Sequence, residues 1–140
     1  MFRPEITAEV LNARGAGRLP RLLGVEVVAV DAQGISGRLV VRPDLLAPNG
    51  YLHAASVIAL ADTIAGYGTI ANLPQGASAF TTIEIKSNFL GTARDGIITC
   101  NATPAHLGRM TKVWDAVVSN AAGRKIALFR CTQMVLWENK

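Results

Sequence analysis

The stretch Asn49–Asn72, NGYLHAASVIALADTIAGYGTIAN, decides the fold. Between His53 and Ala71 it holds twelve apolar residues, two glycines and five polar ones, and only Asp62 carries a formal charge at pH 7. A helix apolar around its whole circumference is a buried helix, so this one is predicted to lie on a sheet with more protein above it. Leu, Ile and Ala carry the helix, and Pro48-Asn49-Gly50 reads as the turn that starts it. An ionised carboxylate in such a setting is costly unless it is paired, hydrogen-bonded or beside water. Two readings of Asp62 follow: a structural aspartate bonded to a neighbouring Thr or Lys, or a reactive carboxylate whose basicity is raised by desolvation. His53 precedes it by nine residues, which puts the two on opposite faces of a helix and about 13 Å apart along its axis. If both serve one site, two copies of the chain must build it.

Composition narrows the class. A chain of 140 residues is long enough for one domain with a proper core, and a hydrophobic half with 17% charged residues leaves surfaces to bury in an oligomer. No apolar run spans a membrane without polar interruption, and MFRPEITAEV lacks the apolar core of a signal peptide, so the expected location is the cytoplasm, with no membrane partner. Cys100 and Cys131 each lie in an apolar strand-like run with no ligand cluster around them; they are expected to be reduced core residues, with no metal. The net charge of +4 suits a phosphate-bearing small molecule. No basic run with interleaved aromatics points to nucleic acid.

Working outward, residues 5–15 are predicted to form a short helix ended by Gly15, and Arg14, Arg18 and Arg21 a solvated entry loop. Val25–Val30 and Ile35–Val41 read as strands joined by a turn at Asp31-Ala32-Gln33-Gly34. After the helix, Ala79–Leu90 alternates, with Thr81, Ile83, Ile85 and Phe89 on one face and Phe80, Thr82, Glu84, Lys86 and Asn88 on the other. Strands follow at Ile97–Thr103, Met110–Ser119 and Ile126–Trp137, with turns at His106-Leu107-Gly108-Arg109 and Asn120–Gly123. Two strands, one long helix and four strands with short connections make an α+β domain, an antiparallel sheet with one helix packed on it. The last strand is apolar on both of its faces, so a second copy of the chain is expected to cover what one helix cannot.

Several of these segments resemble the hotdog-fold acyl-CoA thioesterases, in particular the small phenylacetate-degradation type. Gly50-Tyr51-Leu52-His53-Ala54-Ala55 and Leu60-Ala61-Asp62-Thr63 are similar to that family's G-x-x-H-G-G and L-A-D-T. Ser87-Asn88-Phe89-Leu90 and His106-Leu107-Gly108-Arg109, leading into Val113-Trp114-Asp115, match further on. The likeness implies one hotdog domain over residues 1–140, with 1–21 as an N-terminal extension and an antiparallel sheet wrapped around the central helix. It implies hydrolysis of an aryl- or medium-chain acyl-CoA to the free acid and CoA, with no cofactor beyond the CoA of the substrate. It places Asp62 as nucleophile or as base on a water, and an N–H of Ala54 or Ala55 on the thioester carbonyl. That second role fits the unpaired N–H groups and positive dipole end of a helix N-terminus. In that family the two parts come from different subunits, which implies a homodimer, or a dimer of dimers, here. Thr82 matches a position that helps place the water, and is equally an ordinary strand threonine.

Two departures stand beside the likeness. Ala54-Ala55 replaces Gly-Gly after the histidine, and Ala47 stands where relatives carry Asn or Gln, with Asn49 the nearest substitute. His53 is expected to orient the loop, and His106 to be solvated in its turn. Arg109 and Lys112, then Arg94 and Arg124, are candidates for CoA phosphates, because Arg matches phosphate in a bidentate way; Asn88 joins them by its place in the Ser87–Leu90 motif. The alternative reading is a non-catalytic acyl-CoA or aryl-ligand binder on the same scaffold.

Overall fold

The helix predicted over the apolar stretch is Ala54–Ile70 (α3) in the computed structural model, which describes residues 1–138. It starts later than the Pro48-Asn49-Gly50 turn. Ala47 N–H donates to Tyr51 O (2.7 Å), Leu52 N–H to Ala93 O (2.9 Å) and His53 N–H to Leu45 O (3.1 Å). Those groups are committed to the loops on either side, so the helical ladder begins only past them. Gly50, with φ of +83°, supplies the left-handed residue that turns the chain into this entry.

Six strands form one antiparallel sheet in the order β1-β2-β4-β5-β6-β3. They are Glu26–Val30 (β1), Ile35–Val40 (β2), Ala77–Phe89 (β3), Ile97–Leu107 (β4), Thr111–Ser119 (β5) and Lys125–Trp137 (β6). The sheet closes around α3 in the hotdog arrangement. Alternation along β5 turns Lys112, Trp114, Ala116 and Val118 inward, and β6 adds Phe129, Cys131, Gln133 and Val135. Against them α3 sets Leu60, Ala61 and Ile64, all fully buried. Each such Leu or Ile contributes roughly 1.5–3 kcal/mol.

The helix lies this close because two glycines let it. A Cβ on Gly37 of β2 would stand 2.1 Å from Ile64 Cδ1 and 2.8 Å from the Glu26 carbonyl oxygen. One on Gly68 of α3 would stand 2.6 Å from the Trp114 ring. Gly68→Ala gains about 1 kcal/mol of helix propensity. It forces apart a ring and a helix that have no slack, at about 1–3 kcal/mol or more. The variant is expected to melt several degrees below the wild type; a thermal melt at or above the wild-type midpoint would show that Trp114 can move aside.

Four expectations are corrected. The entry segment is not a plain solvated loop: after the Ala8–Arg14 helix (α1) comes a second, Leu19–Leu23 (α2), with Pro20 in its first turn and Gly24 closing it at φ +84°. Arg42 donates to the carbonyls of Leu22 and Leu23 at 2.8 and 2.6 Å, holding that end in place. Residues 1–21 are also more than an appendage, since Leu11 is fully buried in the core and the Asn12 amide bonds both the N–H and the C=O of Val27. His106 and Leu107 belong to β4, which outlasts its expected end by using a bulge after Pro104.

The fourth correction concerns β3. Its pairing with β6 slips between Thr82 and Glu84, so the two-residue alternation breaks there. Phe80 and Thr82 therefore share the helix-facing side with Ile85, Ser87 and Phe89, opposite the buried Val135, Gln133, Cys131, Phe129 and Ala127. Thr81, Glu84, Lys86 and Asn88 point outward, opposite Met134, Thr132, Arg130 and Leu128. β3 is an edge strand, and its outer backbone has no strand neighbour among the described residues.

Candidate active site

α3 is not sealed all round. Ala54 and Ala55 at its start are exposed, and Ile58, Ala59, Asp62 and Thr63 continue from them as a half-covered stripe. Asp62 sits midway along this stripe, facing β6, where its charge is felt by Cys131. Its Oδ1 is buried and has no hydrogen-bond partner among the described residues, and burial raises its pKa above the ordinary 3.8. Among the described residues no Thr or Lys bonds it, as a structural aspartate would require. What stands there is a half-dry carboxylate of raised basicity, the kind of group that works as a base.

The helix start is arranged by His53. Its Nδ1 accepts the Ala55 N–H at 2.9 Å, which leaves the ring proton on Nε2 and turns the ring back on its own helix. Ala55 N–H is thereby spent, whereas Ala54 N–H has no acceptor among the described residues. The free donor at the positive end of α3 is thus Ala54. Asn49 folds its Oδ1 onto Tyr51 N–H at 3.2 Å, shaping the loop before the helix. Ala54 and Asp62 are eight residues apart on one helix, about 12 Å along its axis. They cannot converge on one reacting carbonyl within a single chain.

The phosphate candidates scatter. Arg94 lies at the helix entrance, its guanidinium 4.2 Å from the centre of the Tyr51 ring. Arg109 stacks 4.5 Å over Trp137, at the end of β6 remote from that entrance. Lys112 is not a surface cation: it is 1% exposed and faces inward between Leu107 and Gln133, with burial lowering its pKa. Its even spacing from Trp114 on one strand carried that information. Asn88 stands on the outer face beside Glu84 and Lys86, away from the helix. Thr82 faces inward next to Gln133, and His106 is exposed on β4. Tyr67 packs its hydroxyl toward Gly15 of the N-terminal segment, and Phe80 covers Gly66. Both cysteines are buried thiols pushed up to about 12 by burial, Cys131 with a further contribution from Asp62. They stay protonated and unreactive at neutral pH.

One group of polar side chains was not singled out from the sequence. Trp114 Nε1 donates to Thr69 Oγ1 at 2.8 Å, and the Thr69 hydroxyl donates to Gln133 Oε1. All three are buried. A Thr and a Gln recurring inside apolar runs were the available signal, since buried polar groups come with partners.

With this geometry in view, known proteins can be compared. The model of the thioesterase superfamily matches residues 49–127, the segment from the helix entrance to β6. A 1,4-dihydroxy-2-naphthoyl-CoA hydrolase of Escherichia coli is 27% identical over 97% of this chain and 99% of its own. The protein of that name from Listeria monocytogenes is 28% identical over 87% and 98%. A mutant thioesterase from Pseudomonas aeruginosa superposes with a TM-score of 0.93 at 28% identity, covering 98% of this chain and 99% of its own. The E. coli PaaI protein from the phenylacetic acid degradation operon has a TM-score of 0.80 at 24% identity, a likeness of fold. This chain belongs to the thioesterase superfamily and is a thioester hydrolase.

Proposed function

We propose that the chain hydrolyses an acyl-CoA thioester to a free acid and CoA at a site shared between two copies. The observation that carries this reading is Asp62, a buried carboxylate of raised pKa with an unpartnered oxygen on the open stripe of α3. One copy supplies Asp62, and the other supplies the Ala54 N–H at its helix start. As base, Asp62 takes a proton from water while the water oxygen bonds to the acyl carbon; as nucleophile it forms an anhydride that water then opens. In either course the C–S bond breaks: in the first the proton taken by Asp62 passes to the departing sulfur, and in the second CoA leaves as the thiolate and is protonated at the expense of the water that opens the anhydride. The Ala54 N–H receives the charge that develops on the carbonyl oxygen, a role worth about 3–4 kcal/mol.

The pairing of copies is supported by β3. Its free edge carries Ile83, Ile85 and Phe89 at 53, 41 and 46% exposure, apolar side chains on an unpaired edge that can take up another strand. Leu128, Met134 and Leu136 on the outer sheet face are candidates for joining dimers in pairs. Arg94, beside the helix entrance, is the best placed of the cations for a CoA phosphate. An aryl group of the phenylacetate kind and a medium aliphatic chain both belong to the substrate class.

A binder that does not turn over is the second reading, favoured by the exposed Ala54 and Ala55 methyls where the thioester approaches. Thiol release and calorimetry on one panel of aryl- and alkyl-CoA thioesters separate the two. Thiol release at turnover rates is expected. Tight binding of the panel with no release would leave the binder.

A further inference from the structure

The chain's positive charge is gathered in one place. Val10–Val25 holds Arg14, Arg18 and Arg21 and no Asp, Glu or Lys, so it carries three of the four net positive charges. All three arginines are exposed, and none is in an ion pair among the described residues. Leu19 and Leu22 stand among them at 59 and 71% exposure, and among the described residues only Met1 is a more exposed large hydrophobic than Leu22. At about 100° per residue, Arg21, Arg18, Leu22 and Leu19 follow one another around the outer half of α2, while Leu23 packs inward against the core. The face is held in place, because the Arg42 guanidinium donates to the carbonyls at the end of α2. Arg42 also leads into the Pro43–Leu45 turn, and the Leu45 carbonyl takes the His53 N–H at the start of α3. A cationic, apolar face is thus fixed one loop away from the entrance of the candidate site.

We propose that this face of α2 docks on an anionic lipid surface, with Leu19 and Leu22 set among the upper acyl chains and Arg14, Arg18 and Arg21 on the lipid phosphates. Interfacial segments combine leucine and arginine in this way, and the guanidinium fork matches phosphate oxygens. No helix among the described residues is long and apolar enough to cross a membrane, so the contact is peripheral. A contact of this kind needs no spanning run, which is why the hydropathy of the sequence did not announce it. Protruding leucines ringed by arginines suit a fluid surface, which closes around them and offers phosphate at every point. An acidic protein matches the charge alone, and needs a shaped pocket for each leucine as well. Docking brings the entrance of α3 close to the surface into which an apolar acid partitions.

The test reads binding alone and so stands apart from the thioesterase reading. The full-length protein is floated with vesicles of phosphatidylcholine containing about 30% phosphatidylglycerol, and with phosphatidylcholine alone. The wild type is expected to bind the anionic vesicles at least about tenfold more strongly, and to lose most of that advantage at high ionic strength. Arg18→Gln with Arg21→Gln is expected to weaken the anionic binding roughly twentyfold, at about fivefold for each basic residue near the surface. Lys86→Gln with Lys125→Gln removes the same charge from β3 and β6, on the other side of the sheet, and is expected to cost about threefold at most. Leu19→Ser with Leu22→Ser keeps the charge and is expected to weaken binding about tenfold or more. All the altered side chains are exposed, and thermal melts on each variant check that the fold persists. A wild type that stays in solution with both vesicles leaves an acidic protein as the occupant and overturns the proposal. Equal binding to both vesicles, equal weakening by the two charge variants, or an unchanged leucine variant overturns it as well. A leucine variant that light scattering finds in a smaller assembly means that a second copy covers the face, and the proposal falls.

Discussion

Asp62→Asn lowers the turnover number by roughly two orders of magnitude or more, the size expected for losing a positioned base. The change is nearly isosteric, so packing and assembly persist while charge and basicity go. Stability moves the other way. A carboxyl whose folded pKa lies above its ordinary value is held protonated more tightly in the folded chain. Its contribution is therefore lost as pH rises from the ordinary 3.8 through the raised value. Above that window the wild type bears the cost and the Asn variant does not, so the variant is expected to melt level with the wild type or higher. The same raised pKa predicts an acid limb in the wild-type rate profile at higher pH than an ordinary aspartate would give, as Asp62 takes up its proton. The decisive measurements are kcat on the best acyl-CoA, a pH series and thermal melts on the same preparations. A variant that melts early yet turns over within about threefold of the wild type would mean that Asp62 is structural.

Ile83→Lys is expected to separate the copies and take the activity with them. Ile83 is the residue that the bulge leaves out of register with β6, and it stands 53% exposed on the free edge of β3. A lysine there is the device by which edge strands repel further strands. The substitution removes little that the single chain buries, so the melt of the separated chain reports mainly the loss of the partner. Activity falls because each carbonyl loses the Ala54 N–H of the other copy, a loss of about 10²–10³ in kcat by comparison with other single-donor removals. Light scattering on the eluting peak gives the assembly, and thiol release gives the rate. A monomeric Ile83→Lys protein with wild-type turnover would show that one chain builds the whole site.

The sequence by itself determined the helix, the order of elements and the candidate carboxylate, because these rest on local rules. A run apolar on every side needs burial wherever it lies, and a lone Asp within it stands out in one dimension. Asp62 and the helix-start donors were therefore legible, as was the impossibility of joining His53 and Asp62 in one chain, which follows from helix pitch alone. Only the tertiary structure decided the rest. The β3 bulge is set by pairing with β6, and it moved Thr82 to the helix side and Asn88 to the outer face. The helix entrance is set in part by the bond from Leu52 N–H to Ala93 O, far away in sequence. Lys112 went inward with Trp114 because strand parity puts both on the inner face of the sheet. The buried Trp114–Thr69–Gln133 relay exists only because α3, β5 and β6 bring its three members together. Local rules fix what each residue favours; which partner it meets is settled by contacts between distant parts of the chain.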